Sequence, residues 1–311
     1  MSGNTVRNLL RRLLYALIAI VGVAALVFVL LRMVPGNPVA TLLGEHADKE
    51  TVDRISSSLG LNQPLPMQFA NYLLGALRGD FGTSLTLNKP VSELIGPAFA
   101  NTLWLALAAA LVSWVVGIAC GLVAAIRKDT IVDRLFMGFS LMGVSLPVFM
   151  VAMLLQYVFA RYLHWLPVAG ITDWTGYILP AIALGWGSAG SIARLVRSSV
   201  IEVLQQDYID TARAKGRTNT QVLVFHALRN AMLPVITLMA MQFSGLLSGA
   251  FITETVFSIN GIGRLAVQAI TGRDIPLVQG TTLLCTFVIV MGNLAADLLY
   301  SVCDPRVRKG A

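Results

Sequence analysis

Six apolar runs alternate with polar, charged stretches along the chain, falling near residues 13–31, 102–126, 135–160, 177–193, 234–253 and 281–300. Each is long enough to cross a hydrocarbon core of ~30 Å as a helix, and the first holds no charged residue. No small-residue cleavage pattern follows Leu31, so the first run is expected to stay as a span rather than leave as a signal peptide. Between the fourth and fifth runs the pattern changes. Leu195, Val196, Val200, Leu204 and Tyr208 recur at helical spacing and predict an amphipathic helix. Gly216 suits the left-handed residue that closes such a helix, with Arg213, Lys215 and Arg217 near its negative end. Thr218 and Gln221 fit a capping box, opening a short second helix through Val222, Val224 and Phe225. Pro234 stands where the next span is expected to begin. Helix, glycine break, short helix and proline together predict a docking elbow.

Composition agrees with a membrane protein. Apolar residues make up 56% and charged residues 13% of the chain, and the mean hydropathy is +0.73. The net charge of +7 reads as topology rather than nucleic-acid binding, because its distribution is one-sided. Most of the 23 Lys and Arg fall before the first span, between the second and third, in residues 194–233, or after the last. The positive-inside rule then places both termini and the 194–233 loop in the cytoplasm, and residues 32–100 outside. Acidic residues are weighted to the other side, with Asp297 alone inside a span.

Candidate chemistry is sparse. No G-x-x-x-x-G-K-[ST] phosphate loop is present, so ATP in the P-loop manner must be bound elsewhere. Cys120 and Cys285 lie within spans and Cys303 at the inner end, which argues against a disulfide framework. His46, His164 and His226 have no metal-ligand spacing; a structural hydrogen bond is expected for His226. Asp297 and Asn293 share a helix face, which fits either an interfacial anchor or a path-lining pair. Gly245 and Gly249 form a G-x-x-x-G that permits close helix contact. Pro180, Gly185, Gly187 and Gly190 make the fourth span small-surfaced and kinkable, for packing or for movement.

The 194–233 loop resembles that of permease subunits in bacterial ABC importers, which carry an E-A-A-x-x-x-G signature. Asp210-Thr211-Ala212 takes the E-A-A place before Gly216, with two mild departures. Ala212-Arg213-Ala214-Lys215-Gly216 and His226-Ala227-Leu228-Arg229-Asn230-Ala231-Met232-Leu233-Pro234 are the wording of the peptide/nickel branch, as is the long spacing from Gly216 to Pro234. So are Met33-Val34-Pro35-Gly36-Asn37-Pro38, Leu59-Gly60-Leu61-Asn62-Gln63-Pro64 and Gly79-Asp80-Phe81-Gly82-Thr83-Ser84, although the family usually has Asp at the place of Asn37. After the fifth span come Glu254-Thr255-Val256-Phe257-Ser258, Gly261-Ile262-Gly263-Arg264 and Arg273-Asp274-Ile275-Pro276. Ile259 and Asn260 replace the family's Trp-Pro, so this turn is expected to be more flexible and to lack an aromatic anchor. Residues 265–270 read as a short amphipathic helix on the outer surface. Asp304-Pro305-Arg306-Val307-Arg308 closes the match.

The resemblance implies an all-α integral inner-membrane protein of six transmembrane helices. It implies the type I ABC importer permease fold, with a five-helix core and a cytoplasmic coupling helix. Residues 1–34 form the N-terminal arm and first span, 35–100 a small outer cap, 101–304 the permease core and 305–311 a cytoplasmic tail. The chain is expected to be non-catalytic, with ATP and Mg bound by two partner ATPase subunits or domains. A second homologous permease would complete the path as a heterodimer, and a substrate-binding protein, periplasmic or lipid-anchored, would dock outside. Asp210, Thr211, Ala212, Gly216, Thr218, Gln221, His226, Arg229 and Pro234 are assigned to coupling. Gly245, Gly249, Asn293 and Asp297 are assigned to path or packing, and Glu254, Gly261, Gly263, Arg264, Arg273 and Asp274 to the outer gate or docking. The branch carries dipeptides, longer peptides, glutathione, nickel chelates and opine-like solutes. An ion-coupled secondary transporter is the alternative, but such proteins tend to carry several mid-membrane acids or repeated ion sites.

Overall fold

The computed structural model describes residues 3–33, 48–58 and 60–303, and its regular structure is helical apart from one isolated bridge between Thr83 and Pro90. In chain order the helices are α1 (Gly3–Met33), α2 (Lys49–Ser58), α3 (Leu65–Leu77), α4 (Val91–Ile126) and α5 (Ile131–Ser145). There follow α6 (Val148–Leu155, prolonged by a π turn Gln156–Tyr162), α7 (Ile178–Leu204) and α8 (Asp207–Ala214). Last come α9 (Leu228–Val256, entered through helical turns Asn219–Gln221 and Val222–Ala227), α10 (Ile262–Thr271) and α11 (Ile275–Cys303). Contacts divide the chain into two compact units, Met1–Thr102 with Asn260–Met291, and Leu103–Ile259 with Gly292–Ala311.

Among the described residues, five helices are long and apolar enough to cross a bilayer, and a sixth crossing is a broken pair. The third expected span is that pair: α5 and α6 meet at 108° instead of forming one rod over 135–160. The cause is local. Pro147 bars helical backbone at Leu146, which is extended at ψ 132°. Leu146 N–H still closes α5 on Met142 O at 2.9 Å, and Pro147 O opens α6 by accepting from Met150 and Val151. The second span also differs from expectation. It starts at Val91, directly after Pro90, and its 36 residues make a rod of ~54 Å. The boundary expected at 100–101 therefore falls inside a helix.

In the unit containing residues 103–259, α7 is the centre of packing. It is unbroken from Ile178 to Leu204, so its glycines do not kink it, and Pro180 sits harmlessly in its first turn. They serve close approach instead. A Cβ on Gly185 would stand 2.6 Å from Ala109 O of α4, and one on Gly190 would overlap the Ser140 carbonyl of α5. Across the same faces, Gly121 abuts the Ala193 carbonyl and Gly143 abuts Trp186. Small residues thus let the backbones of α4, α5 and α7 touch, the usual means of tight contact where lipid supplies no hydrophobic drive.

In the other unit, α3 lies against α1 through Phe28 and Phe69, whose rings meet edge-on at 5.2 Å. Arg32 stacks on Phe28 and donates to Gln68 Oε1 at 2.9 and 2.7 Å. The outer segment is helical at Lys49–Ser58 and Leu65–Leu77, but none of the α3 residues is fully buried, so its apolar cluster is not a cap core. Asn37, His46 and the closing Asp304–Arg308 match lie outside the described residues.

Gly190→Ala should lower the thermal midpoint of the purified protein, because overpacking against backbone costs about 1–3 kcal/mol and outweighs the ~1 kcal/mol gained in helix propensity. Gly22→Ala, whose Cβ meets nothing within 4 Å, should be neutral or slightly stabilising. Equal midpoints for the two variants in a thermal-shift assay would refute this packing account.

Candidate functional site

The loop after α7 is built from local signals. α7 ends at Leu204, and Gln206 turns extended (φ −82°, ψ 143°) before α8 begins. The amphipathic helix expected to run on to Tyr208 is therefore broken at Gln205–Gln206, and Tyr208 belongs to the next element. α8 carries Asp207 and Asp210 in its first turn and Arg213 in its last, an order that suits the helix dipole. Ile209 and Ala212, one turn apart, are its buried face, packed on Val222 and Ala227 with Val203, Leu204 and Leu223 around them. The small side chain at position 212 is what lets the helix lie this close.

α8 ends in a Schellman motif. Gly216 N–H reaches Arg213 O at 2.9 Å and Arg217 N–H reaches Ala212 O at 3.3 Å, with Gly216 at φ +81°. Two residues later the capping box closes: Gln221 N–H donates to Thr218 Oγ1 and Thr218 N–H to Gln221 Oε1, both at 3.3 Å. Asn230 then ties the elbow, donating to Tyr208 Oη at 2.9 Å and to the His226 carbonyl at 3.2 Å. The hydrogen bond at His226 thus involves its backbone oxygen. The second helix does not stop short of the span. It passes from Asn219 through the π turn into α9, and Pro234 lies inside that helix rather than at its start. The face left open holds Asp210, Thr211 and Arg213 on α8, and Arg229 and Phe225 below it, the last 67% exposed. Asp210 is joined to Arg213 by a surface ion pair at 3.2 Å.

The other expected sites divide. Asp274 and Glu254 are wholly buried, which rules out direct contact with a docking protein. Asp274 is a hub: one carboxylate oxygen accepts from Ser84 Oγ (2.6 Å), Thr86 Oγ1 (2.8 Å) and Thr86 N–H (2.9 Å), and the other from Leu277 N–H at 3.2 Å. Burial raises its pKa, but the bonds from Ser84 and Thr86 outweigh it and hold the carboxyl below its usual range. The Gly79–Ser84 and Arg273–Pro276 motifs therefore brace one another. Arg273 is exposed at φ +53°, and Arg264 Nη1 donates to Asn260 Oδ1 at 3.1 Å. Gly261 caps α10, Gly263 is buried beside it, and Ile262 N–H donates to Thr102 Oγ1 at 2.9 Å. The missing Trp-Pro leaves no gap, since Ile259 and Phe257 are both buried and supply the anchor. A Cβ on Gly245 would meet nothing within 4 Å, so the expected glycine contact is not made there. Asn293 is exposed; Gly249 lies within α9 and Asp297 within α11, with surroundings outside the described residues.

The sequence profile of the family "Binding-protein-dependent transport system inner membrane component" matches residues 117–309, and that of its N-terminal domain residues 5–106. The chain belongs to this family. It is the permease subunit of an ABC importer, and not its catalytic part. The glutathione transport system permease protein GsiC of Salmonella typhimurium is 42% identical over 299 residues, covering 96% of this chain and 98% of the relative. GsiC of Escherichia coli K12 is 40% identical over the same length. In fold, the permease is similar to a chain of the inward-facing MetNI methionine ABC transporter, with TM-score 0.58, 16% identity, and coverage of 68% of this chain and 96% of that one. It is also similar to a chain from the crystal structure of an amino acid ABC transporter with histidines (TM-score 0.53, 16% identity, 67% and 94% covered). Nothing in these comparisons favours ion coupling.

Two features of the permease escaped the sequence reading. One is the break at Pro147, signalled by the Leu146-Pro147 pair inside an apolar run. The other is a bidentate pair in which Arg197 of α7 grips Asp133 of α5, both bonds at 2.6 Å, while Asp129 N–H donates to the same carboxylate at 2.9 Å. Both residues were legible as charges, but nothing in sequence pairs positions so far apart. Asp133 is also held by the α5 cap, Thr130, so the start of the broken span and the foot of α7 form one rigid corner. Removing one partner alone strands a charge beside a side chain only 4% exposed. Asp133→Leu or Arg197→Met should each destabilise by about 3 kcal/mol, and the double variant by less than either. Strict additivity in a double-mutant cycle of thermal unfolding would contradict this pairing.

Proposed function

We propose that the permease imports glutathione or similar short peptide-like solutes across the bacterial inner membrane, driven by ATP hydrolysed on separate subunits. The cargo reading rests on the near full-length similarity to glutathione permeases. The coupling reading rests on the elbow, whose inner face is seated by Ile209 and Ala212 while Asp210, Thr211, Arg213, Phe225 and Arg229 face outward. Such a surface, rigid behind and both charged and apolar in front, suits a socket on an ATPase. Gly216, Thr218 and Gln221 fix its angle; His226 and Pro234 belong to the helix that carries it into the membrane. A second, homologous permease shares the path, two ATPases bind ATP and Mg, and a binding protein delivers cargo to the outer face near Gly261, Gly263, Arg264 and Arg273. Glu254 and Asp274 act there as internal braces. Residues 101–304 are the core that moves, and 1–34 the arm that flanks it.

Both termini and the elbow are cytoplasmic in this reading. Single cysteines at Ser57, Lys215 or Lys309, in a background lacking Cys120, Cys285 and Cys303, should meet a membrane-impermeant thiol reagent in intact cells only at Ser57. Labelling at Lys215 would invert the topology.

The elbow transmits force rather than binding cargo. Gly216→Val puts a β-branched residue at positive φ, a strain of roughly 1–2 kcal/mol, and tilts α8. In reconstituted vesicles with its partners, this variant should keep recruiting the loaded binding protein but lose most uptake and the cargo-stimulated rise in ATP hydrolysis. Gln205→Ala, on the exposed side of the same loop, should be nearly silent. Wild-type uptake by Gly216→Val would sink the coupling assignment.

A further inference from the structure

The break between α5 and α6 has a chemical consequence. α5 is 15 residues long, or ~22 Å, so Leu146 and Pro147 lie within the depth of the hydrocarbon region. Irregular backbone is tolerated at that depth only inside protein or beside a polar cavity. Leu146 and Val148 do line a cavity, of about 400 Å³, closed by α7 at Trp186 and Ser188 and by α9 at Gln242. None of its lining residues is charged. Yet two buried polar atoms of that lining, Trp186 Nε1 and Gln242 Oε1, have no hydrogen-bond partner among the described residues. A buried donor and a buried acceptor left unpaired each cost about 1–3 kcal/mol, which a ligand that satisfies both would recover.

We infer that this cavity is a way-station for the neutral peptide group of the cargo, with Trp186 Nε1–H donating to an amide carbonyl and Gln242 Oε1 accepting from an amide N–H. The inference deepens the peptide-like cargo reading and rests on it. The volume suits a short peptide unit, since small-molecule pockets run from about 300 Å³ upward. The lack of charge explains why the group held here is the amide and not a terminal carboxylate or ammonium. Ser188 offers a hydroxyl beside the pair. Gly143 and Gly187 line the same space, so the close packing of α5 on α7 sets its width.

The test uses the assembled importer in detergent or nanodiscs, with Ser188→Cys as reporter in the cysteine-free background. N-ethylmaleimide should label the reporter, and N-acetylalanine N′-methylamide, an uncharged blocked peptide unit, should slow labelling in a concentration-dependent way. Gln242→Met or Trp186→Phe should raise the half-protecting concentration roughly fivefold to tenfold, the worth of one hydrogen bond. The analogue methylated at both amide nitrogens should protect poorly in the parent and equally poorly in Gln242→Met. Gel filtration checks that each variant assembles. Protection that is absent, or unchanged in both variants, overturns the site. A reporter that labels in the isolated permease but not in the assembly overturns it too, because the second permease then fills the cavity. ATP-dependent uptake of radiolabelled glutathione is measured alongside. Protection without uptake sinks the cargo reading but not the site, and uptake without protection does the reverse.

Discussion

Backbone-to-backbone contact along α7 is the constraint on which the larger unit depends. With lipid outside and little polar surface inside, helix association must come from dispersion at close range, and close range needs missing side chains. Gly185 and Gly190 of α7, with Gly117 and Gly121 of α4 and Gly143 of α5, supply them. Once α5 is pressed on α7 in this way, Asp133 and Arg197 come within bidentate reach, and the start of the broken span is fixed. The elbow follows from the same helix, since α8 hangs from its end and seats on Val203 and Leu204. Packing in the membrane and the geometry of the loop are thus set by one element.

What could be read in the sequence was local. Gly216 at positive φ, the Thr218–Gln221 capping box and the amphipathic segment that became α10 each depend on residues within a few positions of one another, and each appears in the structure. Five of the six spans were legible from apolar length alone. The errors came where tertiary context overrides local preference. Pro234 looks like a helix start, yet it sits within α9, as prolines in spanning helices can when neighbours satisfy the freed groups. The break at Gln205–Gln206 carries no glycine or proline to announce it. The break at Pro147 was announced, but an apolar run hid it. Asp274 and Glu254 looked like surface groups, and only their burial shows that they brace the interior.

Polar chemistry in this permease is accordingly of two kinds. Buried acids are matched, Asp274 by Ser84 and Thr86 and Asp133 by Arg197, and they hold elements in register. Trp186 and Gln242 are not matched, and they stand where the backbone itself is irregular. The first kind fixes the frame. The second marks where something from outside the chain can enter it.

The broken span also bears on how the protein is made. A segment must offer about 17–25 apolar residues to leave the insertion channel sideways into lipid, and neither α5 nor the helical stretch after Pro147 reaches that alone, at 15 residues for α5 and 8 for α6 before its π turn. Residues 131–162 therefore enter the bilayer as one continuous apolar piece, following the α4 hairpin partner and ahead of α7. The bend can form only after α7 has been synthesised and Gly190 has met Ser140. Biogenesis of this chain thus has an order: the third crossing is threaded straight and is folded by the fourth.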